Sequence, residues 1–173
     1  MSDHQIPDFE TDAEFLQLIQ PRDEKYVEEL EEDIFDHGCH EAICVWGSIL
    51  IDGHLRYSIC RKWDIRFNIR RLFFQSRDEA EAYICTEQLK RNDLTSEYKK
   101  YLIGRRFRAD MNIASADFLK NHPEKQLNAD GQISQKYVQK TEIATIIGKE
   151  YNFGFSTVTK YDVYARALDE LRT

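Results

Sequence analysis

The chain has 173 residues, 42% of them apolar and 32% charged, with only seven glycines and three prolines beside 10 Phe, 9 Tyr and 2 Trp; that composition argues against disorder. Its apolar runs, such as Ser48-Ile49-Leu50-Ile51, are far too short to cross a bilayer as a helix, and the polar, acidic residues 1–10 do not read as a signal or transit peptide, so a cytoplasmic protein with no membrane partner is expected. The net charge of −7 is uneven: residues 1–60 hold 15 acidic and 3 basic side chains, residues 61–173 hold 16 and 21, an acidic front and basic rear that leave nucleic acid open as a partner.

In chain order, residues 24–36 place Val27, Leu30 and Ile34 on one helical face, with acids elsewhere and Gly38 as a stop. Residues 42–46 and 48–52 are short β-rich runs around Gly47, a hairpin pattern. Gly53 follows directly and residues 55–63 turn helical, so a strand feeds a glycine turn into a helix. Residues 67–74 read as another strand. Ser76 caps a helix with Ala80, Tyr83, Ile84 and Leu89 as its apolar face, and Glu79 completes a capping box. A further helix starts from Thr95 or Ser96 and runs through Tyr101, Leu102 and Phe107.

Residues 120–134 are polar, contain Pro123, Asn128, Asp130 and Gly131, and predict a linker. Residues 142–151 predict a helix with Ile143, Ile146 and Ile147 inward. Residues 152–154 make a turn, and Ser156 opens or caps a last helix with Val158, Tyr161, Ala165 and Leu168 inward. Two helices joined in this way fit a helix-turn-helix, although helical hairpins recur in many α-rich proteins. Cys39, Cys44, Cys60 and Cys85 form no Cys-x-x-Cys pair and are expected to be reduced and buried. His37, Cys39, His40 and His54 lack the regular spacing of a zinc site, so no structural metal is expected.

Two segments carry candidate chemistry. In Ile51-Asp52-Gly53-His54-Leu55-Arg56, glycine between strand and helix lets backbone N–H groups approach an anion, with Arg56 one turn in; a plain strand-to-helix turn accounts for it equally well. In Glu87-Gln88-Leu89-Lys90-Arg91-Asn92-Asp93-Leu94, a carboxylate, an amide and a basic pair could hold a cation and phosphate, or simply answer the helix dipole.

The order Gln20-Pro21-Arg22, strand–Gly53-His54-Leu55-Arg56–helix, Glu87 to Leu94, then a helix-turn-helix resembles ParB, the chromosome- and plasmid-partitioning family within the ParB/sulfiredoxin-like group. The resemblance spans about residues 15–170. It implies an α+β N-terminal domain with a small mixed sheet over residues 1–94, followed by an all-α region over residues 95–173 with the helix-turn-helix at about 141–170. It implies nucleotide contacts from Gln20, Arg22, Gly53, His54, Arg56, Glu87, Gln88 and Arg91, a CTP-like nucleotide, and Mg²⁺ reached by Glu87 through that nucleotide. Ser156, Thr157, Thr159 and Lys160 would meet double-stranded DNA at the start of the last helix, with Lys136, Lys140 and Lys149 near phosphates. A DNA-bound protein of this kind would be nucleoid-associated. A homodimer is an expected state; a counterpart of the family's separate C-terminal dimerisation domain is not expected, so other surfaces would have to form it.

Departures from the family pattern bear on activity. His54 stands where the family has glutamate, Leu55 where it has arginine, and Gln88 where it has asparagine. His54 and Glu87 are the candidate general bases, and at most weak nucleotide hydrolysis is expected. Sulfiredoxin places its cysteine within the phosphate loop, whereas the nearest thiol here, Cys60, is a turn further on, so sulfiredoxin activity is rejected. The expected function is a ParB-like DNA-binding protein, of partition or transcription-regulator type, with a nucleotide-sensing N-terminal domain. The alternatives are a small nucleotide-dependent phosphotransferase or NTPase of the same fold, and a degenerate protein-binding adaptor.

Overall fold

The computed structural model describes residues 6–121 and 140–172, so most of the expected linker, and Lys136, lie outside the described residues. The chain forms two compact units, Met1–Phe74 and Gln75–Thr173.

The first unit is α+β. A short helix α1 (Ala13–Gln17) is capped by Asp12, whose carboxylate accepts the Glu14 and Phe15 N–H groups. Helix α2 (Glu24–His37) is capped by Asp23 and ends at Gly38, whose φ of 84° suits only glycine without strain. Strands β1 (Ile43–Trp46) and β2 (Ile49–Asp52) form the expected antiparallel hairpin. Helix α3 (His54–Trp63) then leads to β3 (Ile69–Arg71), which pairs parallel to β1. The sheet order is β2-β1-β3. Strand β3 is shorter than the expected 67–74, because its register is limited to Ile43, Cys44 and Val45 of a four-residue partner.

Ile43, Val45 and Leu50 from the hairpin meet Ile34 of α2 and Tyr57, Ile59 and Cys60 of α3 in one apolar cluster. Burial of each such aliphatic side chain contributes about 1.5–3 kcal/mol. The Tyr57 hydroxyl donates to the Pro7 carbonyl and accepts the Phe9 N–H, tying the N-terminal segment to α3. Gly53 is therefore flanked by packed structure on both sides, strand and helix.

The second unit is helical: α4 (Arg77–Leu89), α5 (Ser96–Asn121), α6 (Lys140–Tyr151) and α7 (Phe155–Arg172). The Ser76 hydroxyl accepts the Glu79 N–H, while the Glu79 carboxylate accepts the Gln75 N–H. Thr95 caps α5 by accepting the Tyr98 N–H. The unit boundary falls before α4 rather than after residue 94, because α4 packs along α5. Arg105 grips Glu81 with two hydrogen bonds of 2.6 and 3.0 Å, and Asn112 reaches Asp78.

Helix α7 lies against α5 at Gly104, where a Cβ would fall 2.1 Å from the Tyr161 carbonyl oxygen. Around this contact Arg108 binds the buried Asp162 at 3.1 Å, and Arg105 and Arg108 both bind Asp169 at 3.0 Å. In α6 the inward face is Ala144, Ile147 and Gly148. Ile146, expected inward, is 58% exposed, because adjacent residues on a helix stand about 100° apart and the close contact of Gly148 selects the face.

Candidate functional site

The Gly53 turn is built by the order strand–glycine–helix. Gly53 has φ 86° and sits at the N-cap of α3 with no side-chain cap. The positive φ favours glycine, and a Cβ there would also lie a tight 3.1 Å from both the Arg56 guanidinium and the Ile43 side chain, which would have to give by a few tenths of an ångström. The Gly53 carbonyl accepts the Tyr57 N–H, and the earlier amides of the helix precede that bond.

Arg56 is 20% exposed and pairs with Asp52 at 3.1 Å and Glu41 at 2.8 Å. The Asp52 partner is legible in the sequence, four residues back across the turn; the Glu41 partner depends on the fold. Glu41 is 76% exposed, so this pair contributes little to stability and can exchange for an anion at small cost. The Arg56 Nε is buried with no hydrogen-bond partner.

His54 is the unusual residue of the turn. Both ring nitrogens are buried without a hydrogen-bond partner. Burial lowers its pKa, against a smaller opposing effect of the Asp52 charge, so the ring is neutral near pH 7 and offers one donor and one acceptor. Leaving a buried polar group unsatisfied costs about 1–3 kcal/mol. Such groups in a native fold are where water or a ligand completes the bonding. Cys60, one turn and a half beyond, is no thiolate: burial, then the neighbouring Cys39, pushes its thiol up to about 12.

Of the first-motif residues, Gln20 is half-buried in the segment between α1 and α2. The Arg22 guanidinium lies 4.3 Å over the Tyr26 ring. The third motif lies in the helical unit, at the end of α4. There Asp93 takes Arg91 with two bonds of 3.0 and 2.7 Å, and the buried Gln88 accepts a third at 2.7 Å. Glu87 pairs with Lys90 at 2.6 Å. The motif thus folds into a locked guanidinium, with Gln88 as its positioner and Glu87 at its rim.

Helices α6 and α7 meet across residues 152–154. The left-handed residue of this turn is Asn152 (φ 60°), not Gly154. The indispensable glycine is Gly148, where a Cβ would approach the Phe153 carbonyl oxygen to 2.4 Å. Helix α7 begins at Phe155 with the Gly154 carbonyl accepting the Thr157 and Val158 N–H groups, so Ser156 lies inside the first turn and is not its cap. Ser156 and Lys160 are exposed, and Thr157 and Thr159 are half-buried. The Thr159 hydroxyl donates to the Ser156 carbonyl. Val158 is buried and Tyr161 stacks edge-on with Phe153. Asp162, missed in the sequence as an inward residue, is buried and bound by Arg108 and Arg166.

No helix among the described residues is long and apolar enough to cross a membrane. Among those residues no three His, Cys, Asp or Glu side chains converge as a metal-binding set.

An α+β unit with a three-stranded mixed sheet and a glycine turn into α3, followed by helices, is the fold of a ParB N-domain. Two structures of a pNOB8-like ParB N-domain match the chain. One matches at 22% identity and a TM-score of 0.61, over 88% of this chain and 63% of its own. The other matches at 20% identity and 0.59, over 90% and 60%. The chain therefore spans about three-fifths of the solved chains, and at these identities the likeness is one of fold. No family model matches the chain, and no curated protein matches its sequence.

Proposed function

We propose that the protein is a ParB-like DNA-binding protein of partition or regulator type, whose first unit senses a CTP-like nucleotide with Mg²⁺. The observation that carries this reading is the orphaned polar set at the Gly53 turn: both ring nitrogens of His54 and the Nε of Arg56, beside the amides that open α3. Phosphate oxygens accept from amides and guanidinium, and a neutral imidazole can donate to the same ligand. Arg56 is the principal phosphate contact, released from the exposed Glu41 when an anion arrives. Gln20 and Arg22 are further nucleotide contacts of the first unit. Glu87, Gln88 and Arg91 of the helical unit are proposed, as a separate reading, as phosphate contacts of their own, with Glu87 meeting Mg²⁺ carried by that phosphate. Ser156, Thr157, Thr159 and Lys160 are proposed to meet double-stranded DNA, and a homodimer is the proposed assembly. With histidine in place of the loop carboxylate, turnover by His54 or Glu87 is expected to be slow or nil.

The test is isothermal titration with CTP, ATP and ADP in the presence of Mg²⁺. Arg56→Ala should lose about 1.5–3 kcal/mol of binding, roughly ten- to a hundredfold in affinity. The melting temperature without nucleotide should hardly move, because one partner of Arg56 is solvent-exposed. No nucleotide binding by the parent, or equal binding by Arg56→Ala, overturns the reading. Phosphate release that depends on His54 would move the protein among the enzymes.

A further inference from the structure

Helix α2 and the end of α3 enclose a cleft of about 460 Å³ that has no part in the nucleotide or DNA reading. Its walls are Glu28, Glu31, Glu32 and Asp36 together with the rings of Phe35 and Trp63. The rings stand edge to face, 5.2 Å apart at 71°, and both are exposed, Phe35 by 59% and Trp63 by 45%. We propose that this cleft is a docking site for an extended, arginine-bearing segment of a partner protein.

Three features point to a cationic occupant. Glu28, Glu32 and Asp36 follow one another at i, i+4 spacing, a column of like charges that destabilises a helix unless neutralised. Among the described residues these three have no ion-pair partner, whereas the neighbouring Glu29 pairs with Lys25 and Asp33 shares a hydrogen bond with His37 Nδ1. The protein's own lysine shows the chemistry: Lys62 pairs with Glu31 and lies 4.9 Å from the Trp63 ring centre. Exposed aromatic faces beside carboxylates suit guanidinium above ammonium, because a planar cation can stack on a ring while its N–H fork meets a carboxylate.

Geometry favours a peptide over a small polycation. Successive carboxylates of the column are roughly 6 Å apart along the axis. Alternate side chains of an extended segment are spaced by roughly 7 Å, so every second residue can meet one carboxylate. The acidic lining repels DNA, which keeps this face for protein.

The experiment uses the full chain and a fluorescein-labelled peptide, acetyl-Gly-Arg-Gly-Arg-Gly-Arg-Gly amide, followed by anisotropy. Saturable one-to-one binding is expected, weakened at least tenfold on raising salt from low to high ionic strength. The same peptide with citrulline for arginine should bind at least tenfold more weakly. A triple variant, Glu28→Gln with Glu32→Gln and Asp36→Asn, should lose at least tenfold while its melting temperature stays level or rises, since it removes only repulsion. Phe35→Ser should lose threefold or more, which a purely ionic attraction would not show. The proposal is overturned if the peptide fails to saturate, if citrulline or the triple variant makes no difference, or if spermine displaces the peptide at equal charge concentration. It is also overturned if sedimentation shows that the cleft is filled by a second copy, as a dimer that the triple variant dissociates.

Discussion

Replacing Gly104 by alanine adds one methyl group where α5 meets α7, and the surroundings of that methyl set the cost. The new Cβ would lie 2.1 Å from the Tyr161 carbonyl oxygen, 2.5 Å from its carbon and 2.9 Å from the Ala165 Cβ. Two of these are backbone atoms, which cannot rotate aside, so α7 must retreat by about 1 Å to recover ordinary contact. Retreat stretches the 3.1 Å bond from Arg108 to Asp162 and the 3.0 Å bonds of Arg105 and Arg108 to Asp169. Overpacking costs about 1–3 kcal/mol, and weakening a hydrogen bond to a charged group adds about 1.5–3 kcal/mol. The better helix propensity of alanine returns about 1 kcal/mol. A net loss of about 1.5–5 kcal/mol corresponds, at about 2–4 °C per kcal/mol for a chain of this size, to a fall in melting temperature of about 3–20 °C. Thermal unfolding followed by far-ultraviolet circular dichroism measures it. A melting temperature equal to or above that of the parent would show that propensity alone governs this position, and would refute the close α5–α7 contact.

Two further outcomes are expected. Because burial keeps His54 neutral in the folded chain, the unfolded chain takes up the proton first as pH falls below about 6.5. Stability is therefore full above that pH and drains as pH drops towards the lower folded value; His54→Gln should flatten that decline in pH-dependent denaturation, and an unchanged slope counts against the buried neutral ring. For DNA, Lys160→Ala should weaken binding by about 1–3 kcal/mol with relaxed preference at one position if it reads a base, or weaken it evenly with a shallower salt dependence if it meets phosphate. Selection from random duplexes that enriches no motif, together with a Lys160→Ala variant equal to the parent, ends the DNA reading.

The local elements were legible because their causes are local. The hairpin around Gly47, the stop at Gly38, the Ser76–Glu79 cap and the strand–Gly53–helix order follow from residues within a few positions of one another. The five-residue α1 escaped notice because it is too short for a periodic apolar face, although Asp12 marks its start. The length of β3 is set by pairing with β1, not by its own β-rich composition, so Phe67 and Phe73 fall outside it.

What the amino-acid order determines by itself is most of the turns and helix spans and some of the caps, Ser76 but not Ser156, since these depend on backbone conformations that neighbouring residues allow or forbid. The order of its motifs also anticipated the α+β ParB N-domain fold. Partnership between distant residues belongs to the tertiary structure. Only the packed chain sets Glu41 on Arg56, leaves the His54 ring without a partner, turns Ile146 outward in favour of Ile147, and joins Arg105 and Arg108 to Asp162 and Asp169. Periodicity restricts a side chain to one arc of its helix. Which arc meets a neighbour, and which charge waits there, is decided where two backbones approach closely enough to require Gly104 and Gly148.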